Sequence, residues 1–194
     1  MKKEYQILCE RLRDFESSKR DSSIEKQQIA IMHGAVKELN KEYKGVFYID
    51  ASEHEKTSSG KILSYTTRDG KTLIRGDKTH VKNKMYDTKY YDDVLRITNI
   101  KTGDNSAILF VMKGVQNQGG HQDNVLQEIG LYTNNFSKNK DKNVFMIILI
   151  DGEYIEEQVP KYIDQNENYA VATSNPDNDN YVKNVIEKYL KEKI

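Results

Sequence analysis

Two apolar runs decide the fold of this chain: YYDDVLRI at residues 90–97 and AILFVMK at residues 107–113. Asp92 and Asp93 stand near the start of the first run, and Lys113 closes the second. If the two runs form adjacent antiparallel strands, the beginning of one lies beside the end of the other. The sequence therefore predicts that a carboxylate and an ammonium group meet at one end of a sheet.

The loop after Lys113 is rich in glycine and amide residues, and it leads into a predicted helix. Amide side chains can make bidentate contacts with adenine edges, so this loop is a candidate reader of DNA bases. The alternative is a polar, solvated loop. The amide residues concerned are Gln116, Asn117, Gln118, Gln122 and Asn124.

The segment before the acidic pair, residues 77–89, is polar and basic. Its lysines, among them Lys82 and Lys84, could contact nucleic-acid phosphates, although such a segment is more often a solvated loop. The whole chain has 30 basic and 30 acidic residues, so it carries no overall field that attracts nucleic acid. Any basic patch must therefore be local.

Length and composition suggest one domain covering residues 1–194. A chain of this size buries roughly two thirds of its unfolded surface. Cys9 is the only cysteine, which excludes an internal disulfide or a cysteine-based zinc site and fits a reducing compartment. No apolar run approaches the ~20 residues of a membrane span, so we expect a cytoplasmic protein.

Residues 1–45 are predicted to form N-terminal helices. The second of these begins at Ser22 or Ser23 and carries apolar residues at steps of three and four before Gly45 ends it. His33 lies beside this apolar stripe, and the pattern assigns it no function. The stripe consists of Ile29, Met32, Val36 and Leu39.

Beyond Gly45 the apolar pattern becomes extended. Residues 46–49 predict a short strand, and residues 63–67 and 72–74 predict a hairpin through the turn RDGK. A second hairpin joins residues 94–100 to residues 107–113. Together these segments predict an antiparallel β-meander.

Helices and strands alternate after the loop. The run VFMIILI, residues 144–150, is apolar throughout, which is typical of a strand buried on both faces, and we expect it to be the central strand. The fold class is therefore α/β (α+β), with a mixed central sheet whose antiparallel meander is followed by alternating helices and strands. The remaining predicted elements are a helix from Asp123 or Asn124, a crossover helix at 155–163, a strand at 169–173 and a helix that starts at 175–177. We therefore divide the rest of the chain into a core at 46–175 and a C-terminal helix at 176–194.

This order of elements, with an aspartate and Lys113 at its centre, resembles the PD-(D/E)XK nucleases, and within them the small type II restriction endonucleases. The resemblance covers roughly residues 24–175. It implies a site-specific, Mg²⁺-dependent endonuclease that hydrolyses phosphodiester bonds of double-stranded DNA within a restriction-modification system. A palindromic cleavage site would require a homodimer, for which the N-terminal helices are the expected surface.

The chain departs from the family pattern at Val111, where a metal-binding glutamate is expected. One branch of the family supplies this glutamate from the following helix, which here points to Glu128. The resemblance then implies that Asp93, Asp92, Lys113 and Glu128 are catalytic and that Asp93 and Glu128 hold the metal. Asp93 is preferred over Asp92, although a shift of one residue in strand register would reverse that choice.

Two other interpretations stay open. A catalytically inactive protein of the same fold would bind DNA or a protein partner without cleaving it. An unrelated α/β protein would carry the motif by coincidence. The orientation of Glu128 is informative, because a Glu128 that faces solvent would leave the site one carboxylate short.

Overall fold

The structure is a computed structural model that describes residues 22–50, 55–56, 62–66, 72–75, 92–114, 122–137, 142–152, 156–159, 163 and 166–193. The helix expected near the N-terminus lies outside these residues. Residues 156–159 are helical and fall within the expected crossover helix. The other elements are α1 (Ser22–Glu42), β1 (Phe47–Asp50), β2 (Glu55–Lys56), β3 (Ile62–Thr66), β4 (Thr72–Arg75), β5 (Asp93–Asn99), β6 (Asn105–Gly114), α2 (Gln122–Phe136), β7 (Val144–Asp151), β8 (Tyr169–Thr173) and α3 (Val182–Lys193).

Five strands form a mixed sheet in the order β1-β5-β6-β7-β8. The pairs β1–β5 and β5–β6 are antiparallel, and the pairs β6–β7 and β7–β8 are parallel. The turn between β5 and β6 contains Gly103 at a φ of 76°, a conformation that favours glycine. Helix α2 lies in the connection from β6 to β7, as a parallel pair requires. The predicted mixed α/β fold is therefore confirmed.

Strand β7 is buried along its whole length, as its apolar sequence predicts. It lies between β6 and β8, so both of its edges are paired. The expectation that it is the central strand was wrong, because β6 occupies the middle of the five. The antiparallel part of the sheet adds two strands beyond β6, whereas only β8 lies beyond β7.

The predicted hairpin of residues 63–67 and 72–74 is present as β3 and β4, with Tyr65 opposite Ile74. Together with β2 it forms a separate three-stranded sheet. The prediction of one continuous meander was therefore wrong. Strand β1 pairs with β5, so the hairpin is an insertion between two strands that are neighbours in the central sheet.

Alternation along the strands divides the core into two layers. We call the side covered by α1 and α3 the α1 face, and the side covered by α2 the α2 face. Met32 of α1 and Ile186 of α3 are fully buried on the α1 face, and Ile129 of α2 is fully buried on the α2 face. Since successive strand residues point to opposite faces, each strand contributes to both layers. Among the helices in the described part of the chain, none is long and apolar enough to span a membrane.

Helix α3 begins at Val182, later than the expected start at residues 175–177. Asn175 accepts a hydrogen bond from the backbone N–H of Asp177, and Asn178 accepts one from that of Asn180. Such side-chain bonds offer the backbone an alternative to helical hydrogen bonding. The asparagine-rich segment therefore forms turns, and the helix starts only where the apolar pattern begins.

Helix α1 is attached to the edge of the sheet by Asn40. Its side-chain Nδ2 donates to the carbonyl oxygen of Ile49 at 2.9 Å, and its Oδ1 accepts from the backbone N–H of Ile49 at 2.9 Å. The amide therefore pairs with β1 much as a neighbouring strand would. This contact fixes α1 along the strand that ends the sheet.

Candidate active site

Lys113 is the last residue but one of β6, and its side chain lies on the α2 face. Strand alternation places it with Leu109 and Val111, both of which are buried on that face. Its Nζ lies 3.2 Å from Oε1 of Glu128 on α2. The lysine of the predicted motif and the carboxylate expected to complete it therefore come together at the carboxyl end of β6.

Glu128 does not face solvent. Its side chain is 22% exposed, and that of Lys113 is 21% exposed. Glu128, the expected replacement ligand, is thus turned toward Lys113. This contact excludes the arrangement in which the carboxylate of Glu128 is remote from Lys113.

Asp92 lies in a bend immediately before β5. Its backbone N–H donates to the carbonyl oxygen of Phe110 at 2.9 Å, and its Oδ2 accepts from the N–H of Met112 at 2.7 Å. The carboxylate therefore ends the β5–β6 ladder beside the residue that precedes Lys113. A carboxylate has about four lone-pair positions, so it can accept this bond and also bind a cation.

Asp93, the preferred metal ligand from the sequence, lies on the α1 face with Leu95 and is 4% exposed. Its Oδ1 accepts from the N–H of Val94 at 2.8 Å, and its Oδ2 lies 3.1 Å from Nε2 of His33 on α1. Asp93 and Lys113 thus lie on opposite faces of the sheet. Of the two aspartates, Asp92 is the one whose carboxylate contacts the residue before Lys113.

Val111 is 1% exposed and packs in the core of the α2 face. Val111 therefore contributes to packing, which agrees with the expectation that a valine cannot bind a metal. The structural consequence is that any carboxylate on this face must come from another element. Glu128 meets that condition.

Two residues near the site were not given a role by the sequence. His33 contacts Asp93, and Gln28 of α1 donates from Nε2 to the carbonyl oxygens of Lys113, at 3.1 Å, and Leu149, at 3.0 Å. Gln28 is a polar residue on the buried side of α1, which is a sequence signal for a buried contact, whereas His33 is about half exposed and carries no such signal. Their partners lie far away in the chain, so no local spacing could identify them.

The carboxyl ends of β7 and β8 add further polar groups. Asp151 ends β7 opposite Gly114 and is 8% exposed. Thr173 ends β8, and its hydroxyl donates to Oε1 of Glu156 at 3.1 Å. Polar groups therefore follow three parallel strands at the same edge of the sheet.

Mg²⁺ is usually bound through one or two protein carboxylates together with substrate phosphates and water. Asp92 and Glu128 supply such a pair of oxygen donors, one before β5 and one on α2. Within the ranges that the structure describes, no three histidine, cysteine, aspartate or glutamate side chains gather as a ready-made cage. Oxygen donors of this kind fit Mg²⁺ that is shared with a substrate.

The proposed DNA contacts stay predictions. The basic and amide residues of the two loops lie outside the described residues, and the structure describes only the backbone of the two that begin α2. The first group is Lys82, Lys84, Gln116, Asn117 and Gln118, and the second is Gln122 and Asn124.

Comparison with known proteins gives little beyond this geometry. No protein-family model matches the chain, and no curated protein sequence matches it. Among solved structures, one similar chain is described as the MunI restriction endonuclease in complex with cognate DNA. It is 12% identical, with a TM-score of 0.32, and the match covers 83% of this chain and 94% of the other.

Proposed function

We propose that this protein is a metal-dependent endonuclease that hydrolyses phosphodiester bonds of double-stranded DNA, with Asp92, Lys113 and Glu128 as its catalytic residues. The observation that carries the proposal is the 3.2 Å contact between Lys113 and Glu128. It joins the lysine of the motif to the carboxylate that the motif lacks at its usual position. Asp92 contacts the same strand one residue before the lysine.

Asp92 and Glu128 are the residues that would hold Mg²⁺ against a scissile phosphate. Bound there, Mg²⁺ would supply Lewis-acid stabilisation of the phosphoryl oxygens and a more acidic water. Glu128 pairs with Lys113, so its carboxylate is directed toward the lysine of the site, where it would serve as a ligand of the metal.

Lys113 has two tasks in this proposal. Its ammonium group donates up to three hydrogen bonds, so it can orient the attacking water. Its charge would face the negative charge that develops on the phosphoryl group, and fixed charges of this kind stabilise a transition state more than a ground state. Glu128 would hold the metal, and Lys113 would perform both of these tasks.

The proposal also carries three finer parts. The family resemblance implies that the substrate is a specific DNA sequence and that two copies of the chain act together on a palindromic site. The chemistry of amide side chains makes five residues candidate base readers, namely Gln116, Asn117, Gln118, Gln122 and Asn124. A separate base-reading element follows the general rule that phosphate contacts position a protein on DNA, whereas base contacts specify the sequence.

A cleavage assay tests the proposal. Purified protein is incubated with phage DNA in Mg²⁺ and, separately, in EDTA, and the products are resolved on a gel. We expect discrete fragments only with Mg²⁺. Lys113→Ala and Glu128→Ala should each remove them.

A matched control comes from helix α3, where Lys191 and Glu187 also form an ion pair, at 2.9 Å. Lys191→Ala removes a lysine from a more exposed ion pair on the helix that covers the opposite face of the sheet, so it should leave cleavage unchanged. If Lys113→Ala and Lys191→Ala cleave equally well, Lys113 has no catalytic role. If the unmodified protein yields no fragments with Mg²⁺ or Mn²⁺ on any DNA tested, the nuclease proposal fails.

A second candidate function is an inactive protein of nuclease-like architecture that binds DNA. It is favoured by one observation, that Val111 stands where the family pattern has a metal-binding glutamate. A gel-shift assay on the same DNA distinguishes the two. Binding without cleavage, unaffected by Glu128→Ala, supports this second function.

A further inference from the structure

Gln28 lies beneath the end of strand β6, on the opposite side of the sheet from the site. It is 1% exposed and belongs to α1, the helix that covers the α1 face. Its Nε2 donates to the carbonyl oxygens of Lys113 and Leu149. These two carbonyls belong to the neighbouring parallel strands β6 and β7, where Lys113 is in register with the residue after Leu149.

The orientation of this amide is determined by its partners. Both are carbonyl oxygens, which can only accept hydrogen bonds, so the nitrogen of Gln28 must face them. Among the described residues, Oε1 of Gln28 accepts no hydrogen bond. A buried acceptor without a donor costs free energy. The amide thus fixes two strand ends although its own hydrogen-bonding capacity is incompletely used.

We propose that Gln28 is a positioning residue for Lys113, and this inference rests on the proposed function. Holding the carbonyl of Lys113 fixes the peptide plane that joins Lys113 to Gly114, where the strand ends. Because the side chain and the carbonyl leave the same backbone, a fixed peptide also fixes the direction in which Lys113 reaches Glu128. The helix on one face of the sheet therefore sets the geometry of a reacting group on the other.

Two substitutions separate positioning from packing. Gln28→Met keeps the length and approximate volume of the side chain but removes both donors. Gln28→Glu presents a carboxylate to two carbonyl oxygens, and only its protonated form can donate to one of them. Burial raises the pKa of such a carboxyl, so the protonated form extends to higher pH than in water.

Asn40→Ala is the matched control. Asn40 lies on the same helix and also bonds a strand backbone, but its partner is Ile49 of β1 at the far edge of the sheet. It reports what the loss of an α1 amide contact does to the fold in general. Thermal unfolding of all three variants identifies a temperature at which each is folded for the measurements.

The first readout is DNA cleavage. Because small displacements of a reacting group can cost about 100-fold in rate, we expect Gln28→Met to lower kcat by about tenfold to 100-fold with little change in KM. The rate of Gln28→Glu relative to the unmodified protein should fall as pH rises, whereas that of Gln28→Met should keep a constant ratio. Asn40→Ala should cleave at the normal rate.

The second readout does not require activity. Lysines carrying ¹³C-methyl groups are followed by NMR, with the Lys113 signal assigned by its loss in Lys113→Arg. Gln28→Met should move this signal toward the position of solvent-exposed lysines, and Asn40→Ala should leave it in place. If Gln28→Met leaves both the Lys113 signal and kcat unchanged, or if Asn40→Ala alters them equally, the positioning role is wrong. If the protein never cleaves DNA, only the proposed function is overturned. The NMR signal still tests whether Gln28 positions the Lys113 side chain.

Discussion

The ammonium nitrogen of Lys113 lies 3.2 Å from a carboxylate oxygen of Glu128, which joins the end of strand β6 to the helix that follows it. Both side chains are about one-fifth exposed, so the pair lies at the boundary between core and solvent. The contact supplies a carboxylate on the face where Val111 provides none. It is the relationship on which the proposed function depends.

The same pair should contribute little to stability. Partly exposed ion pairs are typically worth less than about 1 kcal/mol, because solvent screens them and two long side chains must be ordered. We therefore expect a double-mutant cycle of Lys113→Ala and Glu128→Ala, measured by urea unfolding, to give a coupling below about 1 kcal/mol. A coupling of several kcal/mol would indicate a structural role and weaken the catalytic interpretation.

Asp92 and Asp93 should differ in what their loss affects. Asp92→Asn keeps an oxygen that can accept from the Met112 N–H but removes the charge, so it should retain stability and lose about 100-fold or more in cleavage. Asp93→Ala removes a buried acceptor from His33 and the backbone, so it should lose about 1–3 kcal/mol of stability and keep its activity. Urea unfolding and cleavage rates check both. The reverse pattern would restore Asp93 as the metal ligand.

Asn40 should stabilise the edge of the sheet. Its amide makes two hydrogen bonds with Ile49, so Asn40→Ala is expected to cost about 1–3 kcal/mol of unfolding free energy. Because the backbone N–H of Ile49 loses its acceptor, its hydrogen exchange should accelerate more than that of Ile97, which is opposite it on β5. Equal acceleration at both positions would show a general loss of stability instead.

Glu187 should make the unfolding free energy of the protein depend on pH in the acidic range. Tyr43 donates to Glu187 at 2.8 Å and Lys191 lies 2.9 Å from the same oxygen, linking the end of α1 to α3. The hydrogen bonds from Lys191 and from Tyr43 hold the pKa of Glu187 below its usual 4.5. A carboxyl with a lowered folded pKa contributes stability above its unfolded pKa, and this stability is lost as pH falls through the folded value.

We therefore expect the unfolding free energy of the unmodified protein to fall more steeply than that of Glu187→Gln as pH is lowered from about 5 to about 3. Urea denaturation at a series of pH values measures both. Parallel curves would show that Glu187 has the same pKa in the folded and unfolded states. Lys191→Met should produce an intermediate slope, because it removes the larger of the two contacts that lower the pKa.

Much of the fold could be predicted because the strands carry strong local patterns. Residues 169–173 form β8 as predicted, and the apolar run at residues 144–150 forms most of β7. The position of β7 within the sheet could not be predicted, since it depends on how many strands pair on each side. The separation of the β3–β4 hairpin has the same origin, because a hairpin pattern does not specify the sheet that receives it.

The candidate site was predictable only in part. The family resemblance implied that Glu128, on the helix after Lys113, replaces the missing ligand, and the two residues do meet. The choice between Asp92 and Asp93 depended on strand register, where a shift of one residue exchanges the two faces. Gln28 was not predictable, because its contacts join α1 to strands that lie far along the chain.

The central claim is that Glu128 supplies the carboxylate that Val111 cannot. It is tested most directly by the dependence of the DNA cleavage rate on Mg²⁺ concentration in the unmodified protein and in Glu128→Gln. The account predicts that Glu128→Gln requires at least about tenfold more Mg²⁺ for half-maximal rate and remains slower at saturation, since a neutral amide is a weaker Mg²⁺ ligand than a carboxylate. An unchanged Mg²⁺ requirement and an unchanged rate would contradict it.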